Sequence, residues 1–541
     1  MSPKQVFVRE ATGLVREVDL KGATIFNALF CGFPQAASAT ILVLVPFMFP
    51  AADFVLAFVL LAAGLTFNCL LYAMMTAAMP RSGGEYVFLS RILGPAIGFA
   101  VNFAWVFVNI TWFGWNISIN TAVISSIFTA LAPATGNPAM AALASAVLTP
   151  SARVAVGLVL VVAGLALSMM PVGRYMQILV LSVGGGLVLC SVTSVSLFLM
   201  ATPSSFQTLF NQYMSMYSTS PNPFQEVLDR AYAAGYGGPQ PATLNATLPA
   251  MAMALIYLTV AFMSSYVGGE IKRGGELKTH LITMLFGGVY LIAFLQIALW
   301  ILLSKVLGLE FMGASAYLYF TGQSTIPTDP YYYLFSFILA GSNVPLLIVM
   351  FIGFFMMTWV TPSIVIMPAR CMFAWAFDRL APEKLAEVSE RFRTPVWSVL
   401  ITIIVGFVFT VWMVSDPTSY ITVGTISSFV ILVLFIAVAI AGIVFPYRRK
   451  SIFEVSRVGF AAKKIGKIPL ISLIGVISLC FVSWVLVTYF ANPQFTGYTW
   501  FTWAIMIVLY GGCIAYYYAV ARYRKNQGID LALVFREVPP E

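Results

Sequence analysis

Long apolar runs follow one another along the whole chain, and polar stretches separate each run from the next. A helix needs about 20 apolar residues to cross the hydrocarbon core of a bilayer. Twelve runs reach or approach that length, so the pattern predicts twelve transmembrane helices. They cover residues 23–49, 53–79, 95–130, 152–170, 175–201, 247–271, 279–307, 344–377, 396–415, 421–446, 469–490 and 499–521.

The polar stretches between these runs carry basic residues mainly on one side of the membrane. With the N-terminus in the cytoplasm, all but three of the 29 lysines and arginines fall in inner segments, the exceptions being Arg153, Arg230 and Lys305. Cytoplasmic loops of membrane proteins carry an excess of lysine and arginine. The distribution therefore predicts a multi-pass protein of the plasma membrane with both termini in the cytoplasm.

Two of the predicted helices contain residues that weaken a helix within the membrane. The first has Gly32 and Pro34, and proline removes a backbone donor and clashes with the preceding turn. The sixth ends in the stretch 257–272, YLTVAFMSSYVGGEIK, in which small and polar residues surround Glu270. Broken helices are tolerated in a bilayer where their free backbone groups line a cavity inside the protein. We interpret the two breaks as the halves of one substrate site.

The two broken helices lie five spans apart and therefore run in opposite directions. Short polar elements also follow the second span, at 80–94, and the seventh span, at 308–343. This arrangement is typical of two five-helix repeats of inverted topology. The predicted fold class is an all-α membrane protein with twelve transmembrane helices, a five-plus-five inverted-repeat core and two accessory helices. Its predicted parts are a cytoplasmic N-terminal segment 1–22, a first repeat 23–201, an outer loop 202–246, a second repeat 247–446, a basic inner loop with the accessory spans 447–523, and a cytoplasmic tail 524–541.

Amide and indole side chains recur at helical spacing along the third predicted span: Asn102, Trp105, Asn109, Trp112, Asn116 and Asn120. Steps of three and four residues place them on one face of a helix. A buried amide needs a partner in hydrocarbon, so this face is expected to look into the protein or into a wet cavity. Single asparagines of this kind also join helices without touching a ligand. As a set, the amides and indoles suit a polar substrate, to which the rings add apolar or cation–π contact.

Composition excludes several other classes of protein. The chain has 541 residues, of which 60% are hydrophobic and 9% charged, and this balance excludes a soluble globular protein. The net charge of +9 is explained by the basic loops and does not indicate a nucleic-acid partner. The six cysteines lie in apolar runs, and the single histidine, His280, has no companion at metal-ligand spacing. Because no set of catalytic groups lies within the membrane, we predict no enzyme activity, no metal and no cofactor.

The coupling ion is open at this stage. Apart from Glu270, the deep polar groups are neutral hydroxyls and amides, which together with freed carbonyls suit a hard cation such as Na+. Glu270 is interpreted either as a site for H+ or as a structural group that bonds the cytoplasmic half of the first helix. The alternatives are therefore Na+, H+ or no ion. The expected partners are a small-molecule substrate and the lipid bilayer, and the oligomeric state is left open.

Three stretches of the chain carry a family signature. Residues 79–86, MPRSGGEY, with GPAIGF at 94–99, resemble the P-x-S-G-G-x-Y…G…GF signature of the amino acid–polyamine–organocation (APC) superfamily of transporters, and of its amino acid permeases in particular. Residues 268–272, GGEIK, resemble the E-E-x-K-N-P end of the sixth helix in that superfamily. Residues 370–382, RCMFAWAFDRLAP, followed by 391–396, are similar to the R-x-x-x-A-M-A-R-D-G-x-x-P…R-F-x-T-P stretch after its eighth helix.

The resemblance implies alternating access and a substrate site between spans one, three, six, eight and ten. It places the opened segments at 30–34 and 256–262, with Tyr257 as an aromatic gate over the substrate. In sodium-coupled relatives of the wider fold a Thr/Ser pair of the eighth span binds the ion, and Thr361 and Ser363 hold the matching place here. The predicted substrate-binding residues are Phe30, Cys31, Gly32, Phe33, Asn109, Trp112, Asn116, Tyr257, Thr259 and Val260.

These observations together predict a secondary active transporter for a small amino acid or related amine. Neutral amides and aromatic rings without a deep acid favour a neutral or zwitterionic substrate over a polyamine. Two departures from amino acid permeases, at 30–34 and 260–262, leave a carrier of nucleobases or other small heterocycles as an alternative. A substrate sensor that has the same fold but does not transport is the alternative from a different class.

Overall fold

The fold is seen in a computed structural model, which describes residues 14–30, 45–456, 463–492, 500–536 and 538. Within these ranges the chain is almost entirely helical, and one pair of two-residue antiparallel strands, Lys464–Ile465 and Ile468–Pro469, is present. A spanning segment in a bilayer has no water to satisfy its backbone amides, so its hydrogen bonds must be made within the helix. The composition of the chain therefore accounts for the predominance of helix.

Eleven helical segments of the described residues are long and apolar enough to cross a membrane: Phe54–Ala78, Pro95–Thr135, Pro150–Ser168, Val172–Met200, Leu244–Tyr266, Leu277–Leu307, Val344–Phe377, Val396–Ser415, Ile426–Arg448, Leu470–Ala491 and Trp503–Asn526. They confirm the second to twelfth predicted spans, and we keep that numbering. Of the first predicted span, 23–49, only the helix Leu20–Phe30 and the residues from 45 onward fall within the described ranges.

Short elements connect the spans, and several of them lie where polar sequence predicted them. The helix Glu85–Ile92 follows the second span, and Leu309–Phe320 and Tyr332–Ala340 follow the seventh. The remaining short elements are Pro138–Val147, Pro203–Met214, Pro223–Ala233, Gly268–Glu270, Glu383–Ala386, Lys450–Val455 and Leu531–Val534. The division of the chain into two repeats stays a prediction.

The segment 202–246, predicted to be an outer loop, and the segment 308–343, predicted to be a short polar element, contain helices that pack on each other through phenylalanine rings. The rings of Phe224 and Phe311 stack with their centroids 4.4 Å apart, and Phe210 meets Phe311 edge to face at 5.0 Å. Aromatic pairs at these separations stabilise a packed cluster. The two segments therefore form a packed layer at the end of the helices.

The sixth span changes its helical form partway along, as predicted. It is α-helical over Leu244–Leu258 and a 3-10 helix over Thr259–Tyr266. A 3-10 stretch of eight residues is unusually long, and within a helix such a stretch often marks a functional hinge. The predicted opening of the first span, 30–34, lies outside the described residues except for the backbone of Phe30.

Four other spans also contain π-helical or 3-10 segments. The π segments are Val180–Gly184 and Ser191–Val195 in the fifth span, Leu281–Tyr290 in the seventh and Val508–Gly512 in the twelfth, and the 3-10 segment is Thr361–Val365 in the eighth. The α-helical pieces beside them are Val172–Leu179, Gly185–Cys190, Ser196–Met200, Leu277–His280, Leu291–Leu307, Val344–Thr358, Ile366–Phe377, Trp500–Ile507 and Cys513–Asn526, and the tenth span is one helix, Pro417–Arg448.

The third and sixth spans lie at the centre of the helix packing. In their most apolar windows 72% and 73% of residues are buried, compared with 22% in the twelfth span. Small residues allow close approach between neighbouring helices. A Cβ atom added to Gly98 of the third span would lie 2.4 Å from the backbone nitrogen of Ser90. The helix Glu85–Ile92 can therefore rest directly on the start of the third span only because position 98 is glycine.

Candidate substrate site and basic face

A single asparagine of the first helix joins that helix to the 3-10 segment of the sixth span. The side-chain oxygen of Asn27 accepts the backbone N–H of Ser264 at 2.7 Å. Its amide nitrogen donates to the Ser264 hydroxyl at 3.1 Å and to the carbonyl of Thr283 at 2.8 Å. Asn27 is fully buried, so the side chain replaces hydrogen bonds that the irregular backbone lacks.

The polar face of the third span looks into the protein, as its spacing predicted. The ring of Trp105 packs edge to face on Trp112 of the same span, with centroids 5.6 Å apart, and meets Phe262 of the sixth span at 6.0 Å. The Phe262 ring in turn stacks on Tyr72 of the second span at 4.1 Å. A continuous aromatic wall therefore runs from the middle of the third span across the sixth span.

Three buried polar atoms on this face have no hydrogen-bond partner among the described residues, and one of them is the side-chain oxygen of Asn120 at its far end. The other two are the indole Nε1–H of Trp105, a donor, and the side-chain oxygen of Asn109, an acceptor. The Asn109 amide nitrogen donates to the backbone carbonyl of Trp105 at 2.9 Å, which fixes the orientation of the Asn109 side chain. Unpaired polar groups in an apolar interior cost free energy, so a donor and an acceptor left open one helical turn apart on the same face suit a polar ligand.

The far end of the same face is occupied by contacts between helices. The Asn120 amide donates to the carbonyl of Asn116 at 2.7 Å and to that of Thr358 at 3.2 Å. Asn116 itself is mostly buried, and Trp112 is half-buried. Asn120 therefore joins the third span to the eighth.

The two hydroxyls predicted to bind an ion have different neighbours. Thr361 donates to the carbonyl of Thr358 at 2.6 Å and lies 3.5 Å from the amide of Asn120 on the third span. Ser363 donates to the carbonyl of Val360 and shares a hydrogen bond of 3.0 Å with the hydroxyl of Tyr175 on the fifth span. The two side chains therefore point to different spans, and the sodium site stays a prediction.

Several predicted site residues fall where only part of the chain is described. Cys31, Gly32 and Phe33 lie outside the described residues. Tyr257 and Thr259 flank the change from α-helix to 3-10 helix, but the description covers only their backbone, as it does for Phe30. Val260, in the same segment, is buried. The substrate contacts assigned to these residues stay predictions.

The three signature stretches of the sequence meet on one side of the molecule, which we call the basic face (residues 79–94, 267–278 and 370–395). Ser82 forms a bridge with Val267, and the backbone N–H of Gly83 donates to the carbonyl of Tyr266 at 3.1 Å. A Cβ atom on Gly84 would lie 2.3 Å from the Tyr266 ring, and its φ of +61° belongs to the left-handed region. The paired glycines therefore let the chain pass directly beneath the tyrosine.

The carboxyl group of Glu85 lies buried under this contact and receives two hydrogen bonds from neutral groups. The Tyr266 hydroxyl donates to Oε2 at 2.5 Å, and the Asn102 amide donates to Oε1 at 2.7 Å. Asn102 is held in turn by the indole Nε1–H of Trp375, which donates to its oxygen at 2.8 Å. Burial raises the pKa of Glu85 to about 7, although the hydrogen bonds from Tyr266 and Asn102 act in the opposite direction.

Glu270 forms a buried ion pair with an arginine of the eighth span. Arg370 donates from Nε to Oε1 at 2.7 Å and from Nη2 to Oε2 at 2.8 Å, while its Nη1 donates to the hydroxyl of Thr394 at 3.0 Å. Such a two-pronged contact fixes the orientation of both side chains. The carbonyl of Glu270 also accepts the N–H of Val18, just before the first helix. The backbone of Glu270 is therefore bonded to the segment just before the first helix, whereas its side chain binds the eighth span.

A second buried ion pair is formed by Arg91, which lies on the same helix as Glu85. Arg91 donates to Asp378 at 2.7–2.8 Å, and its guanidinium lies 5.0 Å from the ring centroid of Phe535 in the C-terminal segment. Arg449 donates to the carbonyl of Arg91 at 2.5 Å. Segments from the second, eighth and tenth spans and from the C-terminal segment therefore meet at Arg91.

Glu85 appears in the sequence only as part of the first signature, and no pattern there predicts that it is buried. Asn102, predicted to lie on the inward face of the third span, donates its amide hydrogen bond to Glu85. The signal available was the position of an acid directly after the paired glycines in the first signature. Neither Tyr266 nor Trp375 carries a sequence pattern that marks it as a partner, because both are brought there by the packing of distant spans.

Comparison with known proteins gives one family-level match. A family model described as amino acid permease matches residues 26–513, which is most of the chain. A search of curated proteins finds no significant match to the chain.

Proposed function

Because this chain belongs to the amino acid permease family, it is a membrane transporter, and we propose that it moves a neutral or zwitterionic amino acid or related amine. We further propose that it acts as a secondary active transporter in the plasma membrane, with both termini in the cytoplasm. The distribution of lysine and arginine supports this orientation.

The observation that carries the substrate proposal is the open donor and acceptor on the third span. The Trp105 Nε1–H would donate to a substrate carboxylate, and the Asn109 oxygen would accept from a substrate amine. Both groups are neutral, and a zwitterion needs no net countercharge. Neutral hydrogen-bonding groups inside an aromatic wall therefore suit a zwitterion better than a polycation, whose charge would remain uncompensated.

Alternating access would require the basic face to open and close around this site. The third span carries the open polar atoms and the Asn102 contact to Glu85, and the sixth span contacts both Trp105 and Glu85. A movement of either span would therefore affect both places. The long 3-10 segment of the sixth span is a suitable hinge for such a movement.

The test is a thermal-shift screen of the purified protein against amino acids, amines and nucleobases, followed by counterflow in proteoliposomes. Asn109→Leu should abolish the ligand-induced shift, because it removes the open acceptor while keeping the number and branching of the side-chain heavy atoms. The matched control is Asn68→Leu. Asn68, on the second span, is also a buried asparagine whose oxygen has no partner among the described residues, but its amide nitrogen donates to Phe435 and Ser478 of other spans. It should lower stability while the ligand-induced shift remains.

Two results would favour the alternative functions, a heterocycle carrier or a substrate sensor. A shift with nucleobases and none with amino acids would favour a heterocycle carrier, which the rings of Trp105 and Trp112 would also suit. A ligand-induced shift without counterflow would favour a sensor. An unchanged shift in Asn109→Leu would reject this placement of the substrate site.

A further inference from the structure

Three acidic side chains are almost completely buried among the described residues, and they differ in their partners. Glu270 is paired with Arg370, and Asp378 is paired with Arg91. Glu85 has no basic group within ion-pair distance in the described part of the chain. A buried carboxylate without a cation is costly, and such a group takes up a proton more readily than one in water.

The groups that face Glu85 from the surrounding elements do not supply a positive charge. The titratable ones are Tyr72 of the second span, Tyr266 of the sixth and Cys371 of the eighth. The third span contributes the neutral Asn102. On the helix of Glu85 itself, Arg91 is bound to Asp378. From the end of the tenth span, Arg449 donates to the carbonyls of Arg91 and Phe535.

The position of Glu85 ties its environment to the closure of the basic face. Its two oxygens accept hydrogen bonds from side chains of the third and sixth spans. The third-span donor, Asn102, is itself bonded by Trp375 of the eighth span. If these spans separate, the carboxyl group meets water. A hydrated glutamic acid has its ordinary pKa of 4.5 and is ionised at neutral pH.

We propose that Glu85 is a proton-binding site, which holds a proton while the basic face is closed and releases it when that face opens. On release, the O–H bond of the carboxyl group breaks, the proton passes to water, and a carboxylate remains. The burial that raises the pKa of Glu85 in the closed form is consistent with this direction. The inference rests on the proposed function in treating the basic face as one that opens.

The test uses Cys371 as a native reporter of opening. This thiol is buried, and its sulfur lies 3.5 Å from the amide nitrogen of Asn102. The full-length protein is labelled with a membrane-impermeant thiol reagent between about pH 5.5 and about pH 8.5, and mass spectrometry measures the label on Cys371. Dividing the rate by that of Glu85→Gln at each pH removes the intrinsic pH dependence of the thiol.

The labelling ratio of wild type to Glu85→Gln should rise with pH by at least about tenfold, the factor that corresponds to one pKa unit between the closed and open forms. An ionised Glu85 would slow formation of the nearby thiolate, so it would not produce this rise. Glu276→Gln removes an exposed acid of the same face and should keep the wild-type behaviour. A ratio that stays constant over the whole pH range overturns the proposal.

A second variant tests the site if Glu85→Gln does not fold. Tyr266→Phe removes a donor that favours the ionised carboxylate, so the midpoint of the pH-dependent labelling should move to higher pH. A purely structural role of Tyr266 gives no reason for such a shift. A midpoint that does not move would therefore count against Glu85 as the proton-binding group.

Counterflow on the same preparations separates this inference from the proposed function. Transport of an amino acid together with a flat labelling ratio overturns the proton site and leaves the transport function in place. A pH-dependent ratio without transport of any tested substrate supports the proton site and counts against the transport function.

Discussion

The buried carboxyl of Glu85 makes the stability of this conformation depend on pH. Burial raises the pKa from its ordinary value of 4.5 to about 7. The folded protein therefore binds this proton more tightly than the unfolded chain does, and the stabilisation is full below about pH 4.5 and lost as the pH rises through about 7. At about 1.4 kcal/mol for each pKa unit, the effect is on the order of 3 kcal/mol.

We expect the melting temperature of the wild type to fall relative to that of Glu85→Gln as the pH is raised from about 4.5 to about 8. The glutamine variant lacks the titrating group, so the difference between the two profiles isolates Glu85. Thermal unfolding in detergent, followed at several pH values, measures the difference. Parallel profiles for the two proteins would contradict the assignment.

The hydroxyls of Thr361 and Ser363 give a second prediction at the scale of single residues. If the two hydroxyls hold a sodium ion, proteoliposome uptake should fall when choline replaces external sodium at fixed pH, and Thr361→Ala should abolish that dependence. Uptake that is unchanged in choline would reject the sodium site, in keeping with the contacts that the two side chains make to different spans.

At the scale of elements, the signature after the second span is explained by close backbone contacts. Gly84 passes beneath the Tyr266 ring, and Gly98 lets the helix Glu85–Ile92 rest on the third span. These glycines hold the helix that carries Glu85 at a fixed height against its neighbours. A packing requirement and a functional group are thereby combined in one short stretch.

We expect Gly98→Ala to destabilise the protein by about 1–3 kcal/mol, the usual range for overpacking, because the added methyl would meet the backbone of Ser90 and not a flexible side chain. The control is Gly512→Ala in the twelfth span, where a Cβ atom would meet nothing within 4 Å. Melting temperatures of the two variants in detergent provide the comparison. Equal melting temperatures would show that the helix can shift freely.

At the scale of the whole molecule, the ion pair of Glu270 and Arg370 joins the end of the sixth span to the eighth. Both side chains are about 1% exposed. A buried pair of this kind adds little net stability over apolar residues of similar volume, but removing one partner leaves an uncompensated charge. Its principal effect is therefore to specify which segments meet on the basic face.

We expect Arg370→Met to lower the free energy of unfolding by about 3–5 kcal/mol, and the double variant Glu270→Leu/Arg370→Met to recover most of that loss. Thermal unfolding of the two variants measures both effects. If the double variant were no more stable than the single one, the cost would lie in lost hydrogen bonds such as that to Thr394 and not in the unpaired charge.

The hydropathy pattern alone determined the spans, because a bilayer forces each crossing segment to be long, apolar and helical. The asparagines and indoles at helical spacing likewise identified the inward face of the third span, since only a helix brings residues three and four apart onto one side. The family signatures identified the class of protein.

The tertiary structure alone decided which buried acid is neutralised and which is not. Glu85, Glu270 and Asp378 all lie near the ends of spans in the sequence, yet two of them meet arginines from distant spans and one meets a tyrosine and an asparagine. The electrostatic environment of a carboxyl group depends on neighbours within a few ångströms. Those neighbours lie up to 287 residues away along the chain, so the sequence around each acid does not show which groups surround it.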